Sequence, residues 1–192
     1  MDREHSTTMP HSSSCNLTAP VLVLGGARSG KSNFAERLIV DSALRRVYVA
    51  TATISDDEMA ERIAHHRHSR GPNWHTVEEP LALVETLKRE AQPGSAILVD
   101  CLTLWLTNVM LSGGDVDAQS AALADHLRTA RHPIVLVSNE VGMGLVPETP
   151  LGRAFRDAQG RLNQMVAAAV PHVAFVAAGL PLWLKGRTGA GA

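Results

Sequence analysis

The sequence predicts an α/β fold in which a mainly parallel central sheet lies between two layers of helices. Three observations carry that expectation. Short apolar runs recur along the chain without alternating with polar residues, which marks strands buried on both faces. Stretches with helical spacing separate these runs, and repeated strand–helix alternation builds a parallel sheet covered on both sides. Polar residues and glycines gather just after each run, at the strand ends where open α/β sheets bind ligands.

The elements follow in order. Residues 21–24 form an apolar run ending in Gly25-Gly26, and a helix is expected over 32–43. A β-branched run over 46–50 closes in Thr51-Ala52-Thr53. Residues 56–70 read as a helix opened by Asp56, Asp57 and Glu58, carboxylates that favour the positive end of the helix dipole. Another helix is expected over 81–91, then a buried strand over 96–99 closed by Asp100. Helices over 102–111 and 118–131 are separated by the breaker Gly113-Gly114. A fourth strand over 134–137 ends in Ser138-Asn139-Glu140, a long helix covers 153–170, and a fifth strand covers 173–177.

At 192 residues the chain suits one domain with a sizeable core. We expect that domain over residues 20–188. Its 45% apolar content, rich in Ala, Val and Leu, is that of an ordinary globular protein. A net charge of −1 provides no field to steer the chain to nucleic acid or an anionic membrane, so neither is expected as a partner. No apolar stretch reaches the roughly 18 to 20 residues needed to span a bilayer. Cys15 lies in a polar leader and Cys101 directly follows an apolar run; two free thiols fit a reducing cytoplasm. Residues 1–19 are polar, rich in Ser and Thr, and lack the apolar centre of a signal peptide, so they read as a flexible extension.

Gly25-Gly26-Ala27-Arg28-Ser29-Gly30-Lys31-Ser32 satisfies the pattern G-x-x-x-x-G-K-[ST] between an expected strand and an expected helix. Phosphates need several donors converging on one concave surface, and glycines let backbone N–H groups turn inward where a Cβ would intrude. Lys31 would reach the β- and γ-phosphates, the Ser32 hydroxyl would ligate Mg²⁺, and the following helix would add its positive end. These features predict the three-layer P-loop NTPase fold, binding a purine nucleoside triphosphate such as GTP or ATP with Mg²⁺. Such a site needs a further carboxylate near the metal at the end of another buried strand. Asp100 supplies it, although capping the helix that follows would also explain an aspartate there. Asn139 and Glu140 end another strand and could face the nucleotide or substrate; a turn accounts for Asn139 equally well.

The segment 56–70 carries His65, His66 and His68 together with Arg62, Arg67 and Arg70. Met59 and Ile63 are four apart and can form a buried stripe. A solvated face, pairing with the acidic first turn, a zinc site and phosphate chemistry are the competing readings. Zinc is disfavoured because no cysteine pair or second histidine cluster stands at ligand spacing. For phosphate chemistry, arginines would neutralise a polyphosphate, and neutral imidazole is a workable nucleophile near pH 7.

Taken together, the chain resembles the bifunctional adenosylcobinamide kinase / adenosylcobinamide-phosphate guanylyltransferase family. The phosphate loop, Tyr48-Val49-Ala50-Thr51-Ala52, Asp56-Asp57-Glu58-Met59, Arg62-Ile63-Ala64-His65-His66 and Trp74-His75-Thr76-Val77-Glu78-Glu79-Pro80 carry the first half of the resemblance. Val99-Asp100-Cys101-Leu102-Thr103, the run 138–148 with its Asn-Glu-Val-Gly-Met-Gly, Arg153-Ala154-Phe155-Arg156-Asp157 and Gly160-Arg161-Leu162-Asn163-Gln164 carry the second. The resemblance implies two reactions. The γ-phosphate of ATP or GTP passes to the aminopropanol hydroxyl of adenosylcobinamide; GMP then passes from GTP, through a histidine, to the corrinoid phosphate. It also implies that His65 is the nucleophile, and that His66, Arg67, His68, Ser69, Glu78, Ala50, Thr51, Ala52 and Asp100 contact the guanylyl nucleotide. Mg²⁺ at Ser32 and Asp100 and a homo-oligomer, a trimer, belong to the same expectation. A P-loop kinase of another small alcohol and a nucleotide-sensing module without turnover are the competing readings of function.

Overall fold

The computed structural model describes residues 17–53 and 73–186. The expected helix over 56–70 and nearly all of the extension therefore lie outside the described residues. Seven strands form one sheet: β1 (Val21–Gly25), β2 (Arg45–Ala50), β3 (Trp74–Glu78), β4 (Ser95–Asp100), β5 (Ile134–Asn139), β6 (His172–Ala177) and β7 (Leu180–Lys185). Their order is β3-β2-β4-β5-β1-β6-β7, and every neighbouring pair is parallel except β6 with β7. The helices are α1 (Lys31–Asp41), α2 (Leu83–Glu90), α3 (Leu102–Leu111), α4 (Val116–Thr129) and α5 (Pro150–Ala169).

The unbroken apolar runs follow from a sheet buried on both faces. Leu22, Leu24, Val47, Val49, Ile97, Val99, Ile134 and Leu136 join the core beneath α2, α3, α4 and α5. The alternate residues Val21, Val23, Tyr48, Leu98, Val135 and Val137 pack with Phe34, Ala35, Leu38 and Ile39 of α1. The central strands β1, β2, β4 and β5 thus feed two cores, as the period-two geometry of a strand requires.

Five strands were expected and seven are present. The two additional ones, β3 and β7, are the edges of the sheet. β3, Trp74-His75-Thr76-Val77-Glu78, is mostly exposed and lacks a continuous apolar run; β7 is apolar over Leu180 to Leu184 but carries Pro181, which an edge strand tolerates and a central one does not. The β6–β7 connection is a two-residue turn, Ala178-Gly179, with φ of 52° and 79°, the positive-φ pair that matches strand twist in tight hairpins. Lys185 anchors the far end of β7 by donating from Nζ to Ala167 O (2.9 Å) and Ala168 O (3.2 Å) at the carbonyl end of α5.

Caps account for the shifted helix starts. α4 begins at Val116 because Asp115 accepts the Ala118 N–H (2.9 Å), and α5 begins at Pro150 because Thr149 accepts the Gly152 N–H (3.1 Å). Among the described residues, no helix is long and apolar enough to cross a membrane.

Leu136, in the strand between β4 and β1, is fully buried. Leu136→Ala should lower stability by about 2–5 kcal/mol in urea unfolding; a loss below about 1 kcal/mol would show that this core is not closely packed.

Candidate nucleotide site

The loop after β1 has the form the sequence motif calls for. Arg28 (φ 55°) and Gly30 (φ 91°) take left-handed backbone conformations, curling residues 25–30 around a concavity. Two glycines are required by space. A Cβ at Gly25 would lie 2.5 Å from Ser29 Oγ and 2.6 Å from Val176 O, and one at Gly30 would lie 2.9 Å from Gly179 Cα. Ser29 Oγ is itself buried without a hydrogen-bond partner. α1 starts directly at Lys31 with no side-chain cap and no acidic residue in its first turn, so its leading N–H groups and positive dipole end are free to receive an anion. Lys31 Nζ donates to Gly26 O (3.2 Å), bringing the ammonium back over the loop.

The turn between β6 and β7 supports this loop from below: Gly179 N donates to Ser29 O at 2.8 Å. Sequence reasoning missed Gly179, since nothing local ties a hairpin near the C-terminus to a loop after the first strand. A glycine following the expected fifth strand was the available signal.

β5 lies between β1 and β4, so Asp100 stands two strands from the phosphate loop, roughly 10 Å at the usual strand spacing. Tyr48 Oη donates to Asp100 Oδ2 (2.9 Å), and Asp100 Oδ1 takes no hydrogen bond among the described residues. Asp100 does not cap α3, whose N-cap is Cys101. Cys101 is buried, and its thiol is pushed up to about 11, first by burial and then by the Asp100 charge, with Lys31 opposing. That thiol therefore feels the loop lysine and the carboxylate together.

The donors fit Mg²⁺. A hydroxyl and a carboxylate are hard oxygen ligands, and this ion takes its remaining positions from phosphates and water. Among the described residues no three His, Cys, Asp or Glu side chains gather into a metal-binding group, which such a mixed coordination does not require.

Ala50 pairs with Glu78 on one side and Asp100 on the other, so three expected contact residues lie in one row across β3, β2 and β4. Glu78 is exposed and Ala52 is partly exposed. Thr51 is fully buried; its hydroxyl donates to Cys101 O (2.8 Å) and accepts from Cys101 N (2.9 Å). Its side chain braces the ends of β2 and β4, and its backbone is engaged as well, the N–H donating to Asp100 O (3.3 Å) and the O accepting from Asn108 Nδ2 (2.7 Å). His65, His66, Arg67, His68 and Ser69 lie outside the described residues.

Between the phosphate loop and β4, Gly25 pairs with Asn139 of β5, and Glu140 N donates to Gly25 O (3.1 Å). A buried polar network holds this corner. Gln159 Nε2 donates to Ser138 Oγ and Asn163 Oδ1 (both 3.0 Å), Asn163 Nδ2 donates to Asn139 O (3.1 Å), and Thr103 Oγ1 accepts from Asn139 N (2.9 Å). Asn139 thus acts here through its backbone.

Comparison with known proteins decides which P-loop family this is. The family described as cobinamide kinase / cobinamide phosphate guanyltransferase matches residues 21–184. The chain belongs to this family. Its relatives in the cobinamide kinase family include the bifunctional adenosylcobalamin biosynthesis protein CobP of Pseudomonas aeruginosa, 50% identical over 168 residues, covering 86% of this chain and 97% of that protein. The corresponding CobU of Escherichia coli is 43% identical over 180 residues, covering 86% and 99%. Among solved structures, the assembled type III secretion ATPase EscN of enteropathogenic E. coli aligns with a TM-score of 0.54 at 12% identity, over 84% of this chain and 43% of that one. A protein of Pyrococcus horikoshii OT3 aligns at 0.53 and 10% identity, over 87% and 86%. At such identities the likeness is one of fold alone.

Gly30→Ala should weaken nucleotide binding at least tenfold in equilibrium titration, because the methyl meets Gly179 and φ is positive; a retained affinity would show a loop that relaxes freely. In a Cys15→Ser background, Ellman's reagent at pH 8 should label Cys101 slowly in folded protein and promptly in denaturant. A pKa of about 11 leaves on the order of one thiol in a thousand ionised at that pH.

Proposed function

We propose that this chain performs both reactions of its family in cobalamin biosynthesis. In the first, the aminopropanol hydroxyl of adenosylcobinamide attacks the γ-phosphorus of ATP or GTP, and a nucleoside diphosphate leaves. In the second, a His65 ring nitrogen attacks the α-phosphorus of GTP, the bond to the β-phosphate breaks, and pyrophosphate leaves. An oxygen of adenosylcobinamide phosphate then displaces the imidazole, giving adenosylcobinamide-GDP and restoring His65. The observation that carries this reading is the uncapped, glycine-lined nest at the end of β1 with Lys31 beside it, found in a chain of this family.

Both steps place negative charge on phosphoryl oxygens. The uncapped N–H groups at the start of α1 and the Lys31 ammonium over the loop would meet that charge with little reorganisation. Mg²⁺, held by Ser32 and Asp100 with the phosphates, would supply further charge neutralisation. Tyr48 keeps the Asp100 carboxylate oriented. The row Asp100–Ala50–Glu78 continues the site toward the edge of the sheet. From β1 to β3 it spans four strand intervals, roughly 19 Å, comparable to an extended nucleoside triphosphate. We place the guanosine end along this row, with His66, Arg67, His68, Ser69 and Glu78 as its contacts.

A homo-oligomer, a trimer by resemblance to the family, belongs to the same proposal. The leucine stripe of β7, with Leu180, Leu182 and Leu184 more than half exposed, supports an edge that a second copy covers.

Incubation with α-labelled GTP should leave one label on the peptide containing His65, acid-labile and alkali-stable. No label, with pyrophosphate still released, would point instead to direct transfer. His65→Asn should abolish guanylylation while leaving corrinoid phosphorylation within about an order of magnitude of wild type. Lys31→Ala should depress both reactions by about 10²–10³; a full rate in either would reveal a separate phosphate site. A small-molecule kinase lacking the covalent histidine would phosphorylate without taking up label, and a sensing module would bind GTP without releasing pyrophosphate or ADP.

A further inference from the structure

A corrinoid is a bulky macrocycle edged with methyl and amide groups, and the polar nest at β1 has no room for it. Its hydroxyl tail must reach the phosphates while the ring rests on the surface nearby. A hollow of about 350 Å³ between the β3–α2 connection, α3 and α4, lined by Leu81, Val84, Trp105 and Gln119, shares no residue with the phosphate loop.

The connection from β5 to α5 is placed differently. It leaves the sheet at Glu140, whose N–H is 3.1 Å from Gly25 O at the root of the phosphate loop. Three residues further on, Met143 can lie no more than roughly 11 Å from Glu140, and Leu145 no more than roughly 18 Å. These side chains are apolar and held out in solvent: Met143 is 81% exposed, Leu145 96% and Val146 66%.

The segment that carries them is tied at both ends. At the start, the Ser138–Gln159–Asn163 network and Thr103 fix Asn139, and Glu140 Oε1 accepts the Gly142 N–H at 2.6 Å. At the end, Arg153 Nη1 donates to Pro147 O (3.1 Å) and Glu148 O (2.7 Å), and Thr149 caps α5. Three adjacent apolar side chains presented to water on an anchored segment, beside the phosphate donor, have the chemistry of a seat for an apolar ligand face.

We propose that Met143, Leu145 and Val146 form the seat for the corrin ring, orienting its hydroxyl tail toward the phosphate loop. This rests on the reading of the substrate given above. The seat acts on cobinamide binding and leaves nucleotide binding to the residues of the nest.

The test compares wild type with Leu145→Ser/Val146→Ser and with Met143→Ser. Steady-state phosphorylation is read against cobinamide and against nucleotide, with equilibrium binding of cobinamide alone measured by calorimetry and the sedimentation coefficient recorded for each variant. The expected result for the double variant is a rise of at least tenfold in both the cobinamide KM and its dissociation constant, with the nucleotide KM within twofold and sedimentation unchanged. An unchanged cobinamide affinity overturns the seat, and so does a change in sedimentation, which would assign these side chains to contact between copies. If wild type binds cobinamide but does not phosphorylate it, the functional reading fails while the binding comparison still decides the seat. If wild type does not bind it at all, both fail together.

Discussion

At the junction of β1 and α1 the leading N–H groups of the helix are left without a side-chain cap. Helices ordinarily satisfy their first donors with a side chain, as Asp115 and Thr149 do for α4 and α5. α1 has no such cap, so its donors remain available to an anion. Maintaining that opening requires a tightly curled loop, and the curl is possible only because Gly25 and Gly30 carry no Cβ where Ser29, Val176 and Gly179 approach. The β6–β7 hairpin then becomes part of the nucleotide site, although it lies about 150 residues away in sequence.

Around that opening the sheet sorts the chemistry by strand. β1 presents the loop, β4 two strands away presents Asp100, and β2 and β3 continue the row outward through Ala50 and Glu78. Between the loop and Asp100, β5 delivers Glu140 beside Gly25. Buried polar side chains brace the strand ends: Thr51 links β2 to β4, and Gln159 and Asn163 on α5 hold the end of β5. Buried, hydrogen-bonded groups of this kind restrict the backbone to one arrangement. A site that must present donors to developing phosphoryl charge gains from that rigidity.

The central strands and the phosphate loop were legible in the residues because each follows from a local rule. A strand buried on both faces must be apolar throughout, and a phosphate nest must have glycines at set intervals. The edges were not legible in this way. β3 has a mixed, mostly exposed composition, and β7 carries Pro181 inside a short apolar run, so neither reads as a buried central strand until its neighbour is known. Helix starts were misplaced by two or three residues for a related reason: Asp115 and Thr149 act as caps only when the backbone before them turns extended. Thr51 illustrates the same boundary in the site. The family resemblance implies a nucleotide contact there, and only the approach of Cys101 shows that its hydroxyl joins β2 to β4.

Residue types at short spacing were enough for the α/β class, the glycine-rich motif over residues 25–32 with Lys31 and Ser32, the strand-end carboxylate Asp100 and the resemblance to the cobinamide kinase family. Tertiary structure decided the strand order that puts β5 between the loop and Asp100, the contact of Gly179 with Gly30, and the placing of an exposed apolar segment beside Gly25. The physical reason is that strand pairing and close packing join residues far apart in the chain, and nothing in the local sequence of either partner records which of them will meet.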